Sequence, residues 1–563
     1  MSSARTGQRT GTGRTRASAP SGPEGQSAPR PAGPAGAASG GWSATAARYL
    51  PIAVPAVTMA VLGVWGLPRH NAMGNDEIVT QFAARLPLGT LARMVFLHTD
   101  IFHALYYLFM HVWVVLGSSA TVIRVPSLIA AVASVALTAH VGRRLSGSGW
   151  TGLLAGMVMA LTPSTSFYAQ TARSYTMVTL VVLGSTLALL RALEAETDSA
   201  GPGGRPPQTP PNEADRRRIV RRWLLYAVLI AVGGYLNEIA LAVLVAHAVT
   251  AALARPGRRV LEHWAVAGVA GAALVLPVVI ISFLQRSSAD WITRPHLHDI
   301  GILFHDCFGA TNLVSLFLLG CALVAVFAAG RPAWWSRGGI SLQSVAVPLL
   351  VLPSGTVFAE SLVGKALYVD RYVLFCEAGA ALLAGAGLDL IGRWLGRRFG
   401  AGADRRALAA TSLVTGAVVC LGALLLQLGP QHRARTPLTR QFDYGDPAFY
   451  VGAHARPGDG VLFFNDFYRK IRLGYPHAFR YTTDFAMAVS PVKSATLNGF
   501  DKPFAAVRPI MLTYQRIWVI GRPPSTRVTN SSIRAEGELL LSDYALVTER
   551  HYRGMVVTLW LRR

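Results

Sequence analysis

Acidic residues are scarce in this sequence: 29 Asp and Glu stand against 53 Lys and Arg in 563 residues, and charged residues make up only 15% of the chain. A soluble domain devotes about a quarter of its residues to charge, so a single water-facing globule is excluded. Cysteine is scarce too. Cys307, Cys321, Cys376 and Cys420 lie far apart in apolar stretches, which excludes a zinc ribbon or a disulfide scaffold and leaves them as packing residues. Nor does any internal repeat relate two halves of the chain, as a secondary transporter with broken midplane helices would require.

What is present is apolar surface. Hydrophobic residues make up 52% of the chain and the mean hydropathy is +0.38, far more than one soluble core can use, so the chain is expected to be an integral membrane protein. A net charge of +24 would point to nucleic acid in a soluble chain. Here the arginines come in short runs between apolar segments: Arg143-Arg144, Arg216 to Arg222, Arg255 to Arg259, Arg331 to Arg337 and Arg393 to Arg406. That is the pattern of cytoplasmic loops, and it leaves no case for nucleic acid.

Residues 1–47 are Gly, Ala, Ser, Pro and Arg with almost no apolar content, which predicts a disordered cytoplasmic tail and an uncleaved first span. A transmembrane domain is expected over 48–430. Its spans fall at about 49–67, 125–142, 150–167, 175–193, 223–236, 239–254, 263–283, 311–329, 341–358, 372–391 and 406–428. Residues 195–215 read as a Gly/Pro-rich linker. The aromatic segment 103–116 is placed in the interface rather than across the membrane, because a crossing there would put every later arginine run on the wrong side. From 431 to 563 shorter apolar runs predict a small extracytoplasmic α/β domain. Its strands are expected at Val461 to Phe464, Arg516 to Ile520 and Met555 to Leu561, with helices at Asp446 to His454 and Phe485 to Val489.

This topology gathers polar groups at the outer face: Asp76-Glu77, His98, Asp100, His103, Gln170, Arg173, Tyr175, Asn237-Glu238, Asp290 to His298, and Glu360 to Tyr372. Ionisable groups at membrane depth are costly and line cavities or substrate paths. Each has a plainer reading. An isolated Asp-Glu pair is most often solvated loop, Arg173 and Arg371 could snorkel at helix ends, Asp370 could simply neutralise Arg371, and Lys365 could anchor the interface. His98, Asp100 and His103 are residue types that bind zinc, but in an aromatic segment headgroup or acceptor contacts are the better reading.

The order of motifs narrows the choice. An Asp76-Glu77 pair after the first span is followed by His103-Ala104-Leu105-Tyr106-Tyr107, then Gly117 through Arg124-Val125-Pro126-Ser127 into Gly142-Arg143-Arg144-Leu145. Thr162-Pro163 then leads to Gln170-Thr171-Ala172-Arg173-Ser174-Tyr175. This resembles the GT-C superfamily of polyprenyl-phosphate-sugar glycosyltransferases, in particular the family of protein O-mannosyltransferases and aminoarabinose transferases. The resemblance covers about 51–175 and continues weakly at Asp370-Arg371-Tyr372. It implies a GT-C-like bundle of about eleven spans with Asp76 as general base and Glu77 at the acceptor or sugar. Arg173 and Arg371 would clamp the lipid phosphate, and His103, Gln170, Tyr175, Lys365 and Tyr368 would line the substrate site. It implies a lipid-linked donor, with mannose favoured, no obligatory metal, and a hydroxyl acceptor on an envelope glycan, lipid or protein outside a bacterial plasma membrane. The alternatives are a pentosyltransferase using a similar lipid, or a non-enzymatic transporter or assembly protein.

Overall fold

A computed structural model describes residues 40–68, 73–199, 213–327, 339–398, 405–436, 442–521 and 530–563. Most of the expected tail, the centre of the 195–215 linker and the Arg331 to Arg337 run lie outside the described residues. Everything below belongs to the unit Ala47–Arg563.

Among the described residues seven helices are long and apolar enough to cross a membrane: Ala120–Ser146, Tyr175–Glu196, Glu213–Leu236, Arg258–Leu284, Leu342–Val363, Cys376–Arg398 and Val414–Arg433. Shorter apolar helices, Tyr49–Val64, Gly149–Leu161 and Glu238–Ala254, occupy the expected first, third and sixth spans. The expected span at 311–329 needs correction. It is a broken pair, Leu297–Phe308 and Asn312–Phe327, bent by 76°. Gly309, at φ +118°, lies in the break, where a residue with a side chain would be strained. The chain is a multi-pass α-helical membrane protein.

Close packing between these helices depends on small residues, as it does where lipid offers no hydrophobic drive to association. A Cβ on Gly387 would lie 1.8 Å from the Cys321 carbonyl oxygen, and one on Gly385 would lie 2.4 Å from the Ala155 nitrogen. The helix Cys376–Arg398 is therefore the buried centre of the bundle, flanked by Gly149–Leu161 and Asn312–Phe327.

The helices share a polarity of composition. Arg143 and Arg144 end one helix, Arg216 to Arg222 begin another, Arg258 and Arg259 begin a third, and Arg397 and Arg398 end a fourth. Glu238, Ser282, Glu360 and Arg371 stand at or beyond the other ends. The segment Ile101–Leu116 is a short apolar helix with Tyr106, Tyr107 and Met110 buried and Leu108, Val112, Val115 and Leu116 exposed, the two-faced character expected of an interfacial element.

The C-terminal region is built on a five-stranded sheet in the order β2-β1-β5-β7-β6. Its strands are β1 (Asp459–Phe463), β2 (Thr482–Asp484), β5 (Arg516–Gly521), β6 (Tyr544–Tyr552) and β7 (Met555–Arg562). β1 runs parallel to β2 and β5, while β7 is antiparallel to β5 and β6. Three of these strands and the helix Gly445–His454 lie where the pattern places them. The expected helix at Phe485 to Val489 is instead β3 (Met487–Val489), paired with β4 (Phe500–Asp501). Its start is fixed by Asp484, whose carboxylate accepts the Met487 N–H, and a cross-strand partner overrides weak helical spacing. This region packs onto the helical bundle: a Cβ on Gly474 would meet Ile78 at 2.8 Å, and Tyr444 donates to Asn75 at 3.5 Å.

Candidate active site

The helix Asn75–Arg85 places Asp76 and Glu77 in its first turn, where carboxylates complement the helix dipole. Neighbours on a helix point apart, and the two acids have separate surroundings. Glu77 is fully buried. It accepts from Nε of Arg124 at 2.7 Å and Nη2 at 3.2 Å, and from the backbone N–H of Gly74 at 3.0 Å and of Ala172 at 3.3 Å. It ties the loop to the bundle and does not line the cavity, so its expected contact with sugar or acceptor is corrected. Gln170 is likewise occupied, its amide donating to the carbonyls of Gly63 and Trp65, each at 2.7 Å.

Asp76 faces a cavity of about 1520 Å³. Its Oδ2 accepts the Tyr175 hydroxyl at 3.1 Å, its Oδ1 accepts Nη2 of Arg173 at 3.4 Å, and Nε of Arg371 lies 3.9 Å from Oδ2. Arg371 also donates Nε–H to the Tyr175 hydroxyl at 3.1 Å. Arg173 donates to the Tyr107 hydroxyl at 2.6 Å, which in turn donates to Asp100 at 2.8 Å. The Arg371 guanidinium is flanked by the rings of Trp291 and Tyr372, at 5.3 and 5.5 Å. Two planar cations thus converge on one carboxylate whose side chain keeps 29% exposure to the cavity.

The electrostatics follow from that geometry. Burial pushes the Asp76 carboxyl up, but Arg173, Arg371 and the Tyr175 hydroxyl together outweigh burial and hold it well below the usual carboxylate range. Burial, with Arg173 adding to it, keeps the His103 ring well below the ordinary imidazole value. The ring faces the Ser174 hydroxyl at 3.4 Å.

Asp76, His103, Arg173, Tyr175, Lys365 and Arg371 therefore line one cavity. Lys365 pairs with Asp290 at its rim. Tyr368 is buried outside that cavity and its hydroxyl has no partner among the described residues. The zinc-like trio resolves into separate contacts: Asp100 is bonded to Tyr107, and among the described residues no group of three or more His, Cys, Asp or Glu is placed to hold a metal.

Sequence reasoning missed two contributors. Tyr107 is quoted in the aromatic motif, yet its role as the link between Arg173 and Asp100 is a matter of rotamer and cannot be read from spacing. Lys470 comes from the C-terminal region, lies over the Phe467 ring at 4.1 Å and lines the same cavity. Burial lowers its pKa, opposed by Asp100 and Asp76. No motif marks it.

No protein-family model and no curated protein sequence matches the chain. Solved structures do. ArnT from Cupriavidus metallidurans in the apo state is similar at 14% identity and a TM-score of 0.55, over 92% of this chain and 98% of that one. ArnT bound to undecaprenyl phosphate is similar at 13% identity and a TM-score of 0.53, over 93% and 98%. The fold is GT-C. The match runs through the helical bundle and the C-terminal region alike, so the likeness includes the region that brings Lys470 to the cavity.

Proposed function

We propose that this chain is an inverting glycosyltransferase that moves a sugar from a polyprenyl phosphate to an acceptor hydroxyl. The observation that carries the reading is the carboxylate of Asp76 set between Arg173 and Arg371 in one large cavity. A cavity of about 1520 Å³ exceeds the roughly 300–1,000 Å³ of ordinary small-molecule sites, which suits a donor and an acceptor together. The likeness to ArnT, which has been captured with undecaprenyl phosphate, supports a lipid-linked donor.

In this reading Asp76 takes the proton of the acceptor hydroxyl as its oxygen attacks the anomeric carbon. The bond from that carbon to the phosphate oxygen breaks, and the phosphate leaves with the electron pair. Arg173 and Arg371 hold the charge that grows on it. Before substrate arrives the same two cations keep Asp76 ionised and weakly basic. A phosphate bound between them takes over much of their charge, and the carboxylate gains basicity when the acceptor must be deprotonated. One displacement by one base inverts the centre, and the neighbouring carboxylate Glu77, locked on Arg124, is not free to serve as a retaining nucleophile.

The arginine runs at one end of the helices support a reading in which the cavity opens at the outer face of the plasma membrane, with the C-terminal region outside. Mannose is the first sugar to test, with an envelope glycan, lipid or protein as acceptor. The experiment is transfer of labelled mannose from polyprenyl-phosphate-mannose into membrane acceptors by wild type and Asp76→Asn at matched protein level. Loss of about 10²–10⁴-fold in the variant is expected for a missing base. Equal transfer by both proteins would remove Asp76 from the mechanism.

A further inference from the structure

Away from Asp76 the same cavity holds a second polar station. The helix Glu213–Leu236 ends at Asn237, whose Oδ1 accepts the Ile239 N–H at 3.0 Å and so starts the next turn, Glu238–Ala242. The Asn237 side chain is buried, 1% exposed, and among the described residues its Nδ2 has no partner. Beside it Glu238 accepts the Ser282 hydroxyl on Oε1 at 2.7 Å, while Oε2, also buried, has no partner among the described residues. Asn237, Glu238, Ser282 and Glu360 all line the cavity. Among the described residues neither Glu238 nor Glu360 is in an ion pair.

A buried amide donor and a buried carboxylate oxygen without partners are expensive features to keep, and here both line the space where substrate is to bind. Their chemistry limits the ligand. The carboxylates repel a phosphate, which leaves it to the arginines. One donor and one acceptor on adjacent residues match neighbouring hydroxyls of a sugar ring, each of which can give and take a hydrogen bond. The position suits this as well. The segment Asp370–Val373, which carries Arg371, packs against the turn Glu238–Ala242, and the turn Ile101–His103, whose His103 lines the cavity with Asp76, packs against the helix Glu213–Leu236 that leads into Asn237. Phosphate and sugar sites are thus braced on one another.

Building on the glycosyltransferase reading, we propose that Asn237 and Glu238 grip vicinal hydroxyls of the sugar being transferred, while Arg173 and Arg371 hold its phosphate. The turn is then a sugar-selecting element. Glu238→Gln removes the charge at constant shape. Asn237→Asp keeps the Oδ1 that caps the turn and replaces the free donor by an acceptor.

The test is binding of purified full-length protein to short-chain polyprenyl phosphate, bare or bearing mannose, glucose or arabinose. Wild type should hold at least one sugar-bearing lipid more tightly than the bare one. Each variant should lose that preference by about tenfold, the scale of a hydrogen bond to a charged group, and should hold the bare lipid as before. A preference kept by both variants, or absent from wild type, overturns the inference and leaves the glycosyltransferase reading standing. Failure of wild type to hold any of these lipids overturns that reading and the inference with it. If a variant also loses the bare lipid, Ser282→Ala, which strips Glu238 of its partner, is judged by the same comparison.

Discussion

Tyr175 donates its hydroxyl to Asp76 at 3.1 Å while accepting Nε–H from Arg371 at 3.1 Å, so one phenol carries the geometry of both the proposed base and a proposed phosphate cation. Tyr175→Phe keeps the ring contacts with Tyr168 and Tyr372 and removes the bridge. We expect kcat to fall about tenfold, or about 1.4 kcal/mol, with little change in thermal stability, measured by transfer kinetics and by melting in detergent. An unchanged kcat would show that Arg371 and Asp76 hold their places without it.

The pH dependence of kcat/KM tests the electrostatics. In the proposed mechanism ionised Asp76 is the active form, so activity is lost as pH falls through its pKa, and in the wild type that acid limb lies below the usual value of about 4. Arg371→Gln removes one of the cations that oppose burial, so the carboxyl rises and the limb moves to higher pH. Profiles carried below about pH 4 in which the two acid limbs superimpose would mean that Arg371 does not govern Asp76.

Glu77 adjoins the proposed base and yet serves the fold. With both side chains buried, Glu77→Gln leaves Arg124 without its counter-charge, at a cost of about 3–5 kcal/mol. The expected result is a large drop in melting temperature and in yield of folded protein, in contrast to Asp76→Asn, which should fold normally. A stable Glu77→Gln protein would sink this assignment.

Sequence alone carried the membrane class, and it singled out Asp76, Arg173, Tyr175 and Arg371, which the fold brings to one cavity, because charge in an apolar chain is conspicuous and its order is chemical information. It placed both Asp76 and Glu77 at the substrate, the one as base and the other as a contact. The two are adjacent in the chain, and only the position of Arg124, 47 residues on, decides which of them is consumed by packing. Gln170 failed for a related reason: an amide reads as a substrate contact until the carbonyls of Gly63 and Trp65 are seen beside it. The β3–β4 pair was missed because a three-residue strand carries no period of its own and depends on an equally short partner, Phe500–Asp501.

Packing at Gly387 gives a prediction free of the chemistry. A side chain there must displace the backbone of Cys321, since even a Cβ would come to 1.8 Å of its carbonyl oxygen. Gly387→Val should yield no monodisperse protein by size exclusion, whereas Gly422→Ala, which meets nothing within 4 Å, should behave as wild type.

Lys470 tests the contribution of the C-terminal region. Lys470→Ala should weaken binding of bare polyprenyl phosphate about tenfold, as loss of one charge-assisted contact does, and Lys470→Arg should recover part of it. Unchanged binding in both would confine the lipid phosphate to the two arginines.

The position of β7 in its sheet has a temporal consequence. Residues 555–562 are laid between β5 and β6, so β1, from which the chain runs on to Lys470, has no complete sheet beneath it until residue 562 has been synthesised. Asp76 is made hundreds of residues earlier. The cavity lined by Asp76, Arg173, Arg371 and Lys470 is therefore complete only when two distant parts of the chain meet.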